Sequence, residues 1–106
     1  MTTDHNERTT AQQYKFLVGK DRQDGGTIRE QNLKQKVAET FPQSGANIQE
    51  TDGVWKGRVE SGAYEITHID FSGDFSREQA REVREKFERE FDQVMVLTTV
   101  DEVETV

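Results

Sequence analysis

The sequence lacks cysteine, has one proline and is poor in apolar residues, and each shortage excludes a class of protein. Without cysteine, a disulfide framework, a thiolate metal site and a cysteine nucleophile are all excluded. Only 31% of the 106 residues are hydrophobic, so we expect one domain with a small core. No apolar run approaches the roughly 18 residues of a membrane span. Residues 1–13 also lack a signal-peptide pattern. We therefore predict a cytoplasmic protein with no membrane partner.

Positive charge is scarce as well. The chain has 14 Lys and Arg residues against 21 Asp and Glu residues, which gives a net charge of −7. Proteins that bind nucleic acid normally neutralise its phosphates with clustered Lys and Arg, so we do not expect a nucleic-acid partner. The acid excess indicates either a role in solubility, which we favour, or docking on a basic partner.

The polar ends of the chain predict flexible segments around a single α+β domain. Residues 1–13 contain too few apolar side chains to offset the entropy of ordering, so we expect a disordered tail there. The domain is predicted to span residues 14–100, and the acidic residues 101–106 are expected to fray.

Two helices are marked by capping boxes and apolar stripes. The first box pairs Thr27 with Glu30, and Pro42 ends that helix. The second box pairs Ser76 with Gln79. The stripes are Leu33, Val37 and Phe41 in the first helix and Ala80, Val83, Phe87 and Phe91 in the second.

Short runs of aromatic and β-branched residues predict four strands. They cover residues 14–18, 47–59, 63–71 and 94–100. We place a bulge or bend at Asp52-Gly53 and a hairpin turn at Ser61-Gly62, while the competing interpretation makes three short strands between residues 47 and 71. The order βαββαβ predicts a ferredoxin-like fold, in which both helices cover one face of an antiparallel sheet.

The second face of this sheet is expected to meet a partner. Strand alternation is imperfect, because apolar residues point away from the helices as well as toward them. We assign to this ligand or partner face Leu17, Trp55, Tyr64, Met95 and Leu97. Most soluble oligomers are symmetric, so a homodimer is the simplest partner, and another protein is the alternative.

Four short motifs resemble a family of small uncharacterised bacterial proteins. Its members share an aromatic first strand, an Asp-Gly-Gly loop, a Phe-Pro helix end and a Gly-x-Trp strand, in that order. The corresponding segments here are Tyr14-Lys15-Phe16, Asp24-Gly25-Gly26, Phe41-Pro42 and Asp52-Gly53-Val54-Trp55. The resemblance implies a ferredoxin-like fold. It implies no catalytic residue, because the family has no established activity.

His68 and Asp70 form the candidate catalytic pair. They lie two residues apart on one predicted strand, so both side chains leave the same face. The pair suits a histidine base oriented by a carboxylate, or two metal ligands. Two ligands are fewer than the roughly three that catalytic zinc takes from a protein, so we predict no metal and no other cofactor. The plainer interpretation is a structural histidine bonded to a neighbouring strand.

The glycine-rich loop after the first strand is a weaker candidate, for anions. Its candidate residues are Lys20, Arg22, Gly25 and Gly26. The P-loop order of Lys followed by Ser or Thr is absent, and Asp21 and Asp24 would repel phosphate. We therefore favour a simple turn that needs glycine.

The sequence supports two functions, and it leaves open whether the protein is an enzyme. The main prediction is a non-enzymatic interaction or regulatory module that self-associates or binds a partner through its open sheet face. The alternative is a dimeric α+β barrel enzyme or small-ligand-binding protein. Its pocket is predicted around Tyr14, Tyr64, His68 and Asp70.

Overall fold

The chain alternates strands and helices in the predicted order. The elements are β1 (Thr9–Gly19), α1 (Glu30–Thr40), β2 (Asn47–Trp55), β3 (Arg58–Asp70), α2 (Arg77–Glu90) and β4 (Leu97–Thr105). This computed structural model describes the backbone of residues 9–55 and 58–105 and the side chains of residues 10–52 and 62–104. The strand order is β2-β3-β1-β4, and all neighbouring strands are antiparallel. The predicted ferredoxin-like α+β fold is confirmed.

The core lies between one face of the sheet and the two helices. Phe16 on β1 pairs with Ile66 on β3, and both side chains are fully buried. Leu33 of α1 and Phe87 of α2 cover this pair, and the Phe16 and Phe87 rings meet edge to face at 5.6 Å. Alternation along the strands therefore directs every second side chain into the helix layer.

The two predicted helix starts have different outcomes. At α2 the capping box is confirmed, because the Gln79 N–H donates to the Ser76 hydroxyl (3.1 Å) and the Ser76 N–H donates to the Gln79 side chain (2.8 Å). At α1 the predicted Thr27 box is wrong. The helix begins at Glu30 with no side-chain cap, because Thr27 forms a β-bridge with Asp21 in the preceding loop.

Strands β1 and β4 are longer than predicted at the two ends of the chain. They pair from Thr9 opposite Thr105 to Leu17 opposite Leu97. Residues 9–13 and 101–105 therefore belong to the sheet, and residues 1–8 of the predicted tail lie outside the described residues. The sequence did not signal this extension, because the added residues are held by backbone hydrogen bonds and bring few apolar side chains to the core.

The β2–β3 hairpin is bent at the expected place but turns elsewhere. The register shifts between Thr51 and Gly53, which confirms the irregularity at Asp52. The predicted turn at Ser61-Gly62 is wrong, since both residues lie inside β3. The strands instead stay paired as far as Trp55 opposite Arg58, and residues 56–57 between them lie outside the described residues.

The open face of the sheet is more polar than predicted. Lys15 and Glu65 form an ion pair across it at 3.8 Å. Apolar side chains lie on it as well, with Leu17 directly opposite an exposed Leu97 and Ala11 opposite Val103.

Three of the residues assigned to that face are not found on it in the described part of the chain. Tyr64 sits opposite Val18, and both side chains are buried in the helix-covered core, so its assignment to the open face is wrong. Met95 is exposed in the segment before β4, and the Trp55 side chain lies outside the described residues. Neither described helix has the length and apolar character needed to cross a membrane.

Candidate functional site

An open cleft of about 600 Å³ lies where the end of α1 faces α2. We call it the α1–α2 cleft. Its lining includes His68 and Asp70 from the end of β3, Phe41 from the end of α1, Phe75 from the loop before α2, and Glu82 from the middle of α2. The ends of α1 and β3 and the start of α2 meet here because both helices cover the same face of the sheet in the split β-α-β arrangement.

His68 is held in one orientation by aromatic rings and a backbone carbonyl. The side chain is 3% exposed, and Nδ1 lies 3.0 Å from the Gly45 carbonyl oxygen. Its ring stacks on Phe41 at 4.4 Å and meets Phe75 edge to face at 4.9 Å. Because a carbonyl only accepts hydrogen bonds, Nδ1 carries the proton in this contact and Nε2 is left as an acceptor.

Asp70 organises the loop between β3 and α2. The Ser72 N–H and hydroxyl donate to Oδ1 at 3.3 and 2.7 Å, and the Phe75 N–H donates to Oδ2 at 3.1 Å. Burial alone would raise the pKa of Asp70, but the hydrogen bonds from Ser72 and Phe75 outweigh it, so the pKa lies below its ordinary value. Asp70 therefore positions Phe75, and its oxygens are engaged by the loop rather than by the His68 ring.

Negative charge predominates around the α1–α2 cleft. The carboxylates that line it are Glu39, Asp70, Asp74 and Glu82, against the ammonium group of Lys86. The Lys86 ammonium donates to the Thr40 hydroxyl at 3.0 Å. Such a lining attracts cations and still offers one positive group to a carboxylate.

The two tyrosines of the predicted pocket do not line this cleft. The Tyr14 hydroxyl donates to the Phe75 carbonyl at 2.8 Å, and its ring lines a separate cavity on the other side of α2. Tyr64 lies farther along β3, with the Lys20 ammonium 5.4 Å from its ring centroid. The structure thus places His68 and Asp70 in the cleft, whereas Tyr14, although it is the cross-strand partner of His68, and Tyr64 do not line it.

The candidate anion loop is a closed turn. Lys20 pairs with Glu50 at 2.8 Å and Arg22 with Asp24 at 3.4 Å, while Gly25 adopts a positive φ of 93°. The backbone N–H groups of residues 22–26 donate to acceptors within the protein, among them Asp92 and Asp24. The donors that an anion would need are already engaged, which favours the turn interpretation for Lys20, Arg22, Gly25 and Gly26.

Sequence reasoning missed the aromatic walls of the cleft. Phe41 was predicted at a helix end, which describes its local position correctly, and Phe75 directly precedes the Ser76 cap of α2. The sequence did hold one indication of these walls, because in a βαββαβ order Phe41 and Phe75 both lie next to the same end of β3. Among the described residues, no cluster of three or more His, Asp or Glu side chains suits a metal ion.

No family model matches the chain, and no curated protein matches it either. A solved structure of a phage SAM lyase in complex with S-methyl-5'-thioadenosine is similar, with a TM-score of 0.69 and 16% sequence identity. The match covers 91% of this chain and 90% of that one. At this level of identity the likeness shows a shared fold.

The main functional prediction, a non-enzymatic interaction module, is contradicted by this likeness to an enzyme that holds a small ligand. The prediction rested on apolar residues of the open face, and that face also carries the Lys15–Glu65 ion pair. The alternative, an enzyme or small-ligand-binding protein, agrees better with both observations. The chain is thus a ferredoxin-like α+β protein, and the α1–α2 cleft is its candidate ligand site.

Proposed function

We propose that this protein binds an adenosine thioether or sulfonium in the α1–α2 cleft and cleaves SAM as a lyase. The observation that carries the proposal is an aromatic, carboxylate-lined cleft on a fold shared with a SAM lyase over 91% of the chain. Fold alone does not transfer an activity, so the cleft's own chemistry has to support it. The motifs shared with the small uncharacterised bacterial proteins support the same fold and add no activity.

The size and aromatic lining of the cleft suit a nucleoside. Its volume of about 600 Å³ lies within the roughly 300–1,000 Å³ typical of small-molecule sites. Phe75 is the partly exposed member of the ring group formed with Phe41 and His68. A purine stacks favourably on such a ring, at roughly 1–3 kcal/mol per base.

The charge of the cleft suits a sulfonium. Glu39, Asp74 and Glu82 face the space in which a positively charged sulfur would sit. Lys86 is placed to receive the carboxylate of the amino-acid portion of SAM. The product S-methyl-5'-thioadenosine has lost the positive charge, so it would bind these carboxylates less strongly than SAM does.

The proposed reaction needs positioning more than acid–base chemistry. The substrate's own carboxylate oxygen forms a bond to the carbon that bears sulfur, while the carbon–sulfur bond breaks and its electron pair stays on sulfur. The products are a neutral thioether and a four-carbon lactone that keeps the ammonium charge. No water is added and no proton moves, so His68 serves to orient the cleft walls rather than as a base.

Mass spectrometry of products tests this proposal. The full chain is incubated with SAM, and we expect S-methyl-5'-thioadenosine to accumulate faster than in buffer. Phe75→Ala and Glu82→Gln should each lower kcat/KM by at least about tenfold, which corresponds to about 1.4 kcal/mol of lost transition-state stabilisation. Glu85→Gln is the matched control, because Glu85 lies on the same helix outside the cleft.

Two results would contradict the proposal in different ways. If folded protein neither binds nor cleaves SAM, the activity is wrong. If it cleaves SAM and the Phe75 and Glu82 variants behave like the Glu85 control, the activity stands and the α1–α2 cleft is not its site.

A further inference from the structure

The side of α2 that faces away from the α1–α2 cleft carries three arginines. Arg77, Arg81 and Arg84, which we call the arginine flank, line a cavity of about 160 Å³ between α2 and β4. They follow one another at intervals of four and three residues, so the helix stacks them in one row beside the edge strand. Thr98 and Val100 of β4 form the facing wall.

The guanidinium groups of the arginine flank have few partners. Among the described residues, no carboxylate lies within 4.0 Å of Arg77 or Arg81. Arg84 has only long contacts, 3.7 Å to Glu85 and 3.9 Å to Glu88, and its buried Nε–H has no hydrogen-bond partner.

Two lysines elsewhere on the surface have close carboxylate partners. Lys34 lies 2.8 Å from Glu30, and Lys20 lies 2.8 Å from Glu50. The chain has 21 acidic residues, yet none of the described carboxylates lies within 4.0 Å of Arg77 or Arg81. The nearby Glu88 carboxylate instead accepts from the Val96 N–H at 2.9 Å, which holds it to β4.

We propose that the arginine flank binds a phosphate-sized oxyanion. Guanidinium groups present planar forks of N–H donors that match phosphate oxygens, and the cavity brings three such groups to one place. A cavity of about 160 Å³ is smaller than the roughly 300 Å³ at which small-molecule sites begin, so it takes a phosphate group and not a whole nucleotide. The anion is either free phosphate or the phosphate end of a larger molecule that extends into solvent.

This site is independent of the proposed lyase activity. Helix α2 turns Gln79, Glu82 and Val83 toward the α1–α2 cleft and the arginine flank toward β4. No residue lines both sites, so different variants test the two proposals, which succeed or fail separately.

NMR titration of the full ¹⁵N-labelled chain with sodium phosphate, at constant ionic strength maintained with sodium chloride, tests the proposal. We expect saturable shifts of the Arg84 Nε–H and of backbone amides in α2 and β4. Arg81→Gln should raise the Kd for phosphate about tenfold. Arg89→Gln is the control, since Arg89 lies on the same helix away from the cavity, and its Kd should match the wild type.

A second arm distinguishes the sources of the anion. Tighter binding of glycerol 3-phosphate than of inorganic phosphate supports a phosphorylated ligand, and equal binding supports free phosphate. The proposal is overturned if sodium chloride alone produces the same shifts, or if Arg81→Gln and Arg89→Gln weaken binding equally.

Discussion

Asp70 and His68 show how much a single residue's role depends on partners that the sequence does not display. Their spacing of two correctly places both side chains on the helix-covered face of β3. The spacing also suggested that Asp70 orients His68, whereas Asp70 accepts from Ser72 and Phe75 and His68 contacts the Gly45 carbonyl. Gly45 lies 23 residues before His68 in the sequence, so this partner appears only when the chain folds.

Removing the Asp70 charge should loosen the loop that carries Phe75. Asp70→Asn replaces one acceptor oxygen with an amide group, so part of the hydrogen bonding from Ser72 and Phe75 is lost. We expect the free energy of unfolding to fall by about 1–3 kcal/mol at neutral pH, measured by urea denaturation.

The same variant has a pH signature. The folded pKa of Asp70 lies below its ordinary value, so its stabilising contribution is complete above the unfolded pKa of about 3.9 and is lost as the pH falls through the folded pKa. Wild-type stability should therefore fall more steeply with acid than that of Asp70→Asn in this range. Equal acid dependence in the two proteins would contradict the assigned role.

At the scale of elements, side-chain patterns predicted helices better than strand ends. The α2 capping box is visible because Ser76 and Gln79 satisfy each other locally. The Thr27 box failed because a longer-range bridge to Asp21 takes that residue into a loop. The extension of β1 to Thr9 has no apolar signature, since its backbone pairs with β4 at the other end of the chain.

Gly62 lies inside β3, beside the register shift of the β2–β3 hairpin. A Cβ added at Gly62 would lie 1.9 Å from the Thr51 carbonyl oxygen, so a side chain there forces the two strands apart at the bulge. We expect Gly62→Ala to lower the free energy of unfolding by about 1–3 kcal/mol, measured by urea denaturation.

Gly19→Ala is the matched control for this strand glycine. A Cβ at Gly19 meets only the Gln93 side-chain oxygen, at 3.1 Å, which is a far less severe approach than that of Gly62 to the Thr51 backbone. The loss for Gly19→Ala should be smaller. If Gly62→Ala is as stable as wild type, the close approach of Gly62 to Thr51 is wrong.

At the scale of the whole molecule, a homodimer and a cytoplasmic location stay predictions. The candidate contact is the apolar part of the open face, where Leu17 lies opposite Leu97, with exposed Met95 nearby. Light scattering behind gel filtration should give about twice the 12.2 kDa chain mass.

Leu97→Asp should shift that mass to the monomer, because it places a charge in the proposed contact. Gln35→Glu adds one negative charge on exposed α1, away from the open face, and should leave the mass unchanged. A wild-type monomer, or equal behaviour of the two variants, would contradict dimerisation through this face.

Overall charge and composition predicted a small acidic domain, and the order of its elements predicted the α+β fold. Neither predicted a ligand. The α1–α2 cleft draws Phe41, His68 and Phe75 from separate parts of the chain, and two of its carboxylates come from helices whose charged faces look like ordinary solvated surface. A site assembled from such common residues carries no short motif, and only the folded arrangement distinguishes it.

Calorimetric titration of the full chain with S-methyl-5'-thioadenosine, beside Phe75→Ala and Glu85→Gln, is the most direct test of the proposed ligand site. The account predicts saturable one-to-one binding by the wild type and Glu85→Gln, and an approximately tenfold higher Kd for Phe75→Ala. Absence of binding by folded wild-type protein, or equal affinity in Phe75→Ala, would contradict the placement of an adenosine ligand in the α1–α2 cleft.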